Sequence, residues 1–316
     1  MQVPLNSKNT SPLNMPGDGQ MQKTIPSLKP SKSEALKKKI LSSLDSLLPL
    51  PQVVLKAQNL LLDPNSGFNE LADIIETDQD ITLKILKMAN SAYYSLKNEV
   101  CSVRQACVML GFSVIGEIIV AAGTSTLFSK PLTGYGMNPK GLWQHSLAVA
   151  LASRKIANAI QSAQANEAFL GGLFHDVGKL ILDEHIFSHN DAFKDFLVNG
   201  DHPHFEIEKQ ILGFEHSEIA SELCKSWEFP KVVTRAIKRH HFLNSKQASE
   251  LAIILNAADT LIRIKADKNG NGSITDQIDP HVIDFLALNE GDLSRIMVEV
   301  KESVRKITDE IFGAAS

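Results

Sequence analysis

Apolar residues recur at spacings of three and four along most of this chain, and short polar breaks separate each such run from the next. Leu71, Ile74 and Ile75 mark one run; Leu83, Ile85, Leu86 and Met88 mark another. That spacing is the period of an α-helix with one buried face, and strand-like alternation is scarce. The breaks carry helix-ending chemistry. Leu48-Pro49-Leu50-Pro51 stops one helix and lets the next begin at Pro51, because proline is tolerated in a first turn. Asp63-Pro64-Asn65-Ser66-Gly67 reads as a short helix–helix turn. The predicted fold class is all-α.

Residues 1 to about 30 are rich in Pro, Ser, Asn, Gly and Gln, and a disordered tail is expected there. Order should begin at Ser31-Lys32-Ser33-Glu34, a capping-box pattern. Helical periodicity continues through Ile40, Leu41, Leu44, Leu47 and Leu48. Helices are then predicted at Gln52–Leu62, Phe68–Glu76, Ile81–Tyr94, Val103–Leu110 and Ser113–Leu127, which makes residues 31–130 one helical subdomain. The loop from Pro131 to Pro139 reads as a boundary. Beyond it, helices near 141–160, 166–182, 203–212, 216–227, 230–241 and 246–265 make a second subdomain over 140–265. Two more, near 280–287 and 291–311, fill a C-terminal section over 266–316. Asp267 to Ser273 has a faint calcium-loop look but no glutamate at the required place, so it is read as a turn.

At 316 residues there is room for two cores. The net charge of −4 gives no general affinity for polyanions, and no nucleic-acid partner is expected. Lys37-Lys38-Lys39 is read as a solvated helix face. The three cysteines, Cys101, Cys107 and Cys224, form no Cys-x-x-Cys pair. They fit a reducing compartment and are read as small buried residues. No signal-peptide core and no membrane-length apolar run occurs, so a soluble cytoplasmic protein with no membrane partner is expected.

The chemistry gathers at Gly171-Gly172-Leu173-Phe174-His175-Asp176-Val177-Gly178-Lys179. Imidazole and carboxylate together suit a borderline or hard divalent metal. Further candidate ligands are His145, His216, the pair His240-His241, and Asp259 in a mostly apolar segment. Five of the ten histidines thus sit at helix ends or in amphipathic helices, in the order His, His-Asp, His, His-His, Asp. Metal sites in helical bundles are built from side chains on facing helices. Taken singly, a helix-end histidine more often caps a carbonyl. Asp259 also stands one turn before Arg263, a common helix pair. Against that, a buried unpaired carboxylate is costly, which favours a ligand role. Lys179 reads equally as a phosphate contact or a local salt bridge. His202-Pro203-His204 lies in a polar stretch and is read as surface, and Trp143 and Trp227 as core.

Several spaced motifs together resemble a known family. Leu48-Pro49-Leu50-Pro51, Leu71 to Asp78, Lys87-Met88-Ala89-Asn90-Ser91-Ala92-Tyr93-Tyr94 and Met109-Leu110-Gly111 lie in the N-terminal half. Trp143-Gln144-His145-Ser146, Phe174 to Lys179, Trp227-Glu228-Phe229-Pro230 and His240-His241 lie in the C-terminal half. Over roughly residues 45 to 245 the chain is similar to HDOD domains, bacterial signalling modules related to HD phosphohydrolases and HD-GYP phosphodiesterases. The Ala-Asn-Ser-Ala-Tyr-Tyr segment is the most diagnostic piece, and its surface is a place where partners could dock.

The resemblance implies two helical lobes, the second an HD-like bundle, and a regulatory role exerted on protein partners in a signalling pathway, with cyclic-nucleotide signalling among the candidates. Many HDOD domains lack the metal ligands of their HD relatives. Here the HD set falls on His145, His175, Asp176 and Asp259, and the additional HD-GYP histidines fall on His216, His240 and His241. The glutamate that supports a third metal in some HD-GYP enzymes falls on Gly141, and Phe242-Leu243-Asn244-Ser245 stands where Gly-Tyr-Pro should follow the paired histidines. One or two divalent transition ions (Fe, Mn, Co, Ni or Zn) are implied, with Asp176 bridging. If the chain is an enzyme, it is a metal-dependent phosphohydrolase of a phosphoester or nucleotide, with Asp176 and Lys179 as its catalytic residues. Metal identity, substrate, partner and oligomeric state stay open.

Overall fold

The computed structural model describes residues 28–44, 48–63, 65–90, 99–187, 203–243, 248–264 and 273–313. Among these residues the backbone forms fifteen α-helices and one 3₁₀ turn. Their strand content is a single isolated bridge between Leu132 and Met137. The all-α expectation holds.

Helix α1 (Pro30–Leu41) starts one residue before the expected serine cap. Proline at the first helical position fixes φ in advance and needs no hydrogen-bond partner for a missing N–H. Ser33, inside the first turn, donates to the Leu212 carbonyl, 2.5 Å away. Lys37 pairs with Glu218, so that part of the lysine run is not simply solvated.

Five helices follow: α2 (Gln52–Leu62), α3 (Phe68–Glu76), α4 (Gln79–Ala89), α5 (Val103–Leu110) and α6 (Phe112–Phe128). Asp78 caps α4 by accepting from the Ile81 amide. At its other end Asn90 donates to the carbonyls of Leu86 and Val100 and accepts from the Val100 amide, which closes the chain across the gap to α5. Ser91 to Tyr94 lie outside the described residues. Helix α6 is apolar on nearly every side and buried along most of its length, as the central element of a core must be.

The second group comprises α7 (Gly141–Ala159), α8 (Ala165–Phe174), α9 (Lys179–Phe187), α10 (His204–Leu212), α11 (His216–Ser226), α12 (Lys231–Arg239) and α13 (Glu250–Arg263). Helix α7 packs on α8 and α13, and α12 packs on α8, α11 and α13. The turn Thr275–Gln277, α14 (Pro280–Leu286) and α15 (Glu290–Phe312) end the described chain. Helix α15 lies against both α7 and α4.

Polar clamps join the two groups. Trp143 donates its indole N–H to the Ala121 carbonyl, Gln58 donates to that of Trp227, and Asn166 to that of Leu61. Both tryptophans are buried as expected. Cys107 and Cys224 are buried too, but Cys101 is exposed, contrary to the reading of all three as core. It precedes the Ser102 cap of α5, where the chain is still outside the core. No described helix is long and apolar enough to cross a membrane.

Candidate metal centre

The run predicted as one helix over 166–182 is two. Helix α8 ends at Phe174, residues 175–178 turn, and α9 begins at Lys179. A close tertiary contact accompanies the break. A Cβ on Gly178 would stand 2.1 Å from the His216 carbonyl oxygen, so only glycine lets this turn lie on the start of α11. The break turns His175 and Asp176 into the bundle.

Seven side chains meet there. His145 comes from the beginning of α7, His175 and Asp176 from the turn, and His216 from the first position of α11. His240 and His241 follow the end of α12, and Asp259 lies on the inner face of α13. All but the half-buried His145 and His241 are buried. The two oxygens of Asp176 face opposite ways. Oδ1 lies 2.9 Å from His216 Nε2, while Oδ2 lies 3.5 Å from the Nε2 atoms of both His145 and His175. Asp259 Oδ1 is 3.2 Å from His145 Nε2 and 3.8 Å from His175 Nε2. His241 Nε2 is 3.0 Å from His216 Nε2.

Three groups of donors each lie within 4.8 Å of one another: His145, His175 and Asp176; His175, His240 and Asp259; His216, His240 and His241. His240 therefore sits between the two halves rather than in the second alone.

The rings are oriented from behind. His175 Nδ1 is 2.7 Å from the Gly172 carbonyl and His240 Nδ1 is 2.6 Å from that of Ile237. A carbonyl accepts only, so the proton sits on Nδ1 and the Nε2 lone pair faces the centre. Both Nε2 atoms are buried without a hydrogen-bond partner. An orphaned buried acceptor costs about 1–3 kcal/mol. Two in one group with the Asp259 carboxylate fit a cation. Histidine ligands are usually held in this way by a carbonyl or carboxylate on the far nitrogen. Asn256 adds a further support by donating to the His240 carbonyl at 2.7 Å.

Burial holds His175 down at about 4 and His240 at about 3, and His241 well below its ordinary value. These three are neutral near pH 7, while His216, against burial, is raised to about 9 by Glu208 and Asp176, so a metal there would have to displace a proton. Burial also opposes ionisation of Asp176, but His175, Lys179 and His216 outweigh it and keep the carboxyl well below its usual range. Asp259 is likewise kept ionised against burial, chiefly by Arg263. Its Oδ2 makes the helix pair with Arg263 at 2.7 Å, while Oδ1 faces His145. Lys179 makes the local salt bridge, 2.6 Å from Asp176 Oδ2.

Three residues went unrecognised in the sequence as part of the centre. Glu208 is fully buried and its carboxylate lies 2.7 Å from His216 Nδ1. Tyr135 donates its hydroxyl to Glu208 at 2.8 Å. His204 was expected at the surface. It is half-buried beside the Tyr135 ring, and burial followed by Lys179 lowers it to about 4. The reason is its place at the start of α10, one turn before Glu208. Glu208 did leave a signal: it lies between Ile207 and Ile211 on the apolar stripe of α10, where a carboxylate needs a partner. His202 lies outside the described residues.

Comparison with known proteins settles the lineage. The HDOD domain model matches residues 47–243, more than half of the chain. The chain belongs to the HDOD family. An HDOD domain protein of unknown function from Geobacter sulfurreducens is 24% identical, with a TM-score of 0.71 over 89% of this chain and 99% of that one. A protein from Shewanella amazonensis, named provisionally as a phosphohydrolase, is 19% identical, with a TM-score of 0.68 over 86% of this chain and 97% of its own. Both solved structures share the fold. An uncharacterized Treponema pallidum protein is 20% identical over 212 residues, 65% of this chain but only 39% of that protein.

Proposed function

We propose that this HDOD protein is a signalling module that holds one or two divalent transition ions in the His/Asp cluster and acts through contacts with a protein partner. One observation carries the metal assignment. His175 and His240 aim buried, unpartnered Nε2 atoms at a cluster in which both group with Asp259, and His175 also with His145 and Asp176. His145, His175, Asp176 and Asp259 would hold one ion; His216, His240 and His241 would hold the other, with Asp176 reaching both. Nitrogen and carboxylate donors without thiolate favour iron, manganese, cobalt, nickel or zinc over calcium. A signalling role is supported by the family and by a relative from Marinobacter aquaeolei that is provisionally named a signal transduction protein.

A second reading, a metal-dependent phosphohydrolase, is favoured by Lys179. Its ammonium is buried against Asp176, where a phosphoester bound at the centre would meet it. A divalent ion there would supply Lewis-acid stabilisation of phosphoryl charge. The chain's own contribution would be positional. Lys179 would move from Asp176 to a phosphate oxygen; against this reading, Phe242-Leu243-Asn244-Ser245 stands where HD-GYP enzymes carry Gly-Tyr-Pro.

Turnover by metal-loaded protein on a panel of phosphoesters and cyclic nucleotides separates the two. The module reading expects no robust turnover. Robust metal-dependent hydrolysis that Asp176→Asn abolishes, with the fold retained, would overturn it in favour of the second.

A further inference from the structure

We infer that Tyr135 is a positioning residue: through Glu208 it fixes His216, so the connector between the two helical groups sets the geometry of the metal centre. The inference rests on the metal-site reading above.

The connector runs from the end of α6 to the start of α7. Leu132 and Met137 pair backbone to backbone across it, and the Lys140 amide donates to the Ser129 carbonyl. It is docked on α9. The amides of Gly134 and Tyr135 both donate to Asp183 Oδ1, at 2.9 and 3.4 Å. There is no slack in that docking, since a Cβ on Gly134 would stand 2.5 Å from the Asp183 carbonyl oxygen.

From this seat Tyr135 points inward. It is 3% exposed and its hydroxyl donates to Glu208 Oε1 at 2.8 Å. The Glu208 carboxylate takes two further protons, both from His216. The His216 amide donates to Oε2 at 2.7 Å, and the Nδ1–H faces both oxygens at 2.7 and 2.8 Å. With Oε1 tied to Tyr135, the carboxylate plane cannot turn, and one group sets both the ring and the backbone of His216. The connector thus spans α9, which follows the His175-Asp176 turn, and α10, which precedes His216. Those flank the 2.9 Å contact between Asp176 Oδ1 and His216 Nε2. A shift of the connector changes how His216 meets Asp176.

Removing an outer support of a metal-bound histidine typically costs about 10–100-fold in metal affinity. The test uses the full chain, cobalt(II) alone as the probe, and three variants: Tyr135→Phe, Glu208→Gln and Gly134→Ala. Expected are about a tenfold loss of cobalt affinity for Tyr135→Phe, a larger loss for Glu208→Gln, and a changed cobalt visible spectrum in both. Gly134→Ala, which touches neither Glu208 nor His216, should change the spectrum in the same sense. In metal-free protein the downfield proton resonance of His216 Nδ1–H should move in Tyr135→Phe. Unchanged affinity, spectrum and resonance in Tyr135→Phe, with only thermal stability reduced, would overturn the inference. If the wild type binds no cobalt, the metal-site reading fails. The Nδ1–H resonance then still decides whether Tyr135 positions His216.

Discussion

Gly178 lies directly under the His216 carbonyl, with room for a hydrogen and for nothing larger. This backbone contact holds the His175-Asp176 turn against the start of α11. A methyl group there would push the two apart. Gly178→Ala should cost about 1–3 kcal/mol in overpacking and also weaken metal binding, because Asp176 and His216 separate. Chemical denaturation with a parallel metal titration measures both. A variant as stable and as tight-binding as the wild type would mean that the turn has another seat.

Lys179 and Asp176 form a buried pair at 2.6 Å. Deleting one partner of such a pair costs about 3–5 kcal/mol because the other charge is left uncompensated. A bound cation would compensate Asp176 in place of the lysine. Lys179→Met should therefore destabilise the metal-free protein more than the metal-loaded one. Equal losses in the two states would show that no ion reaches Asp176.

Stability without metal should depend on pH in two directions. Burial holds His175 at about 4 and His240 at about 3. An unfolded histidine titrates near 6.5. As pH falls below about 6.5 the unfolded chain takes up protons that the folded chain refuses, so stability drops toward about pH 4. His216 has the opposite sign. Burial opposes its charge, but Glu208 and Asp176 raise it to about 9. Its contribution is complete below about pH 6.5 and is lost as pH rises through 9. The Tm of chelator-treated protein should peak near neutrality and decline on both sides. A Tm that rises steadily into the alkaline range would contradict these assignments.

Much of the fold was legible because helical burial leaves a local trace. The apolar spacing through Ile81, Ile85 and Met88 needs no partner to be read, and it is the buried face of α4, whereas Leu83 on the same run is exposed. The candidate cluster was legible too, in that the structure brings His145, His175, Asp176, His216, His240, His241 and Asp259 together. What was hidden depends on distant contacts. Gly178 is a visible break signal within Gly171 to Lys179, but that it must let the turn lie against the His216 carbonyl depends on a contact 38 residues away. Tyr135 and Glu208 are 73 residues apart, and their hydrogen bond exists only once α9 and α10 are in place. Ser33 has no local signal that sets it apart, yet its hydroxyl is taken by Leu212, 179 residues away.

The central claim is that this cluster holds metal. Elemental analysis of the purified protein and of Asp176→Asn, with helical content compared by circular dichroism, tests it most directly. The account predicts one or two equivalents of a divalent transition metal in the wild type and a sharp loss in the folded variant. A wild type that carries no metal and takes none up on titration, or a variant that keeps the full content, would contradict it.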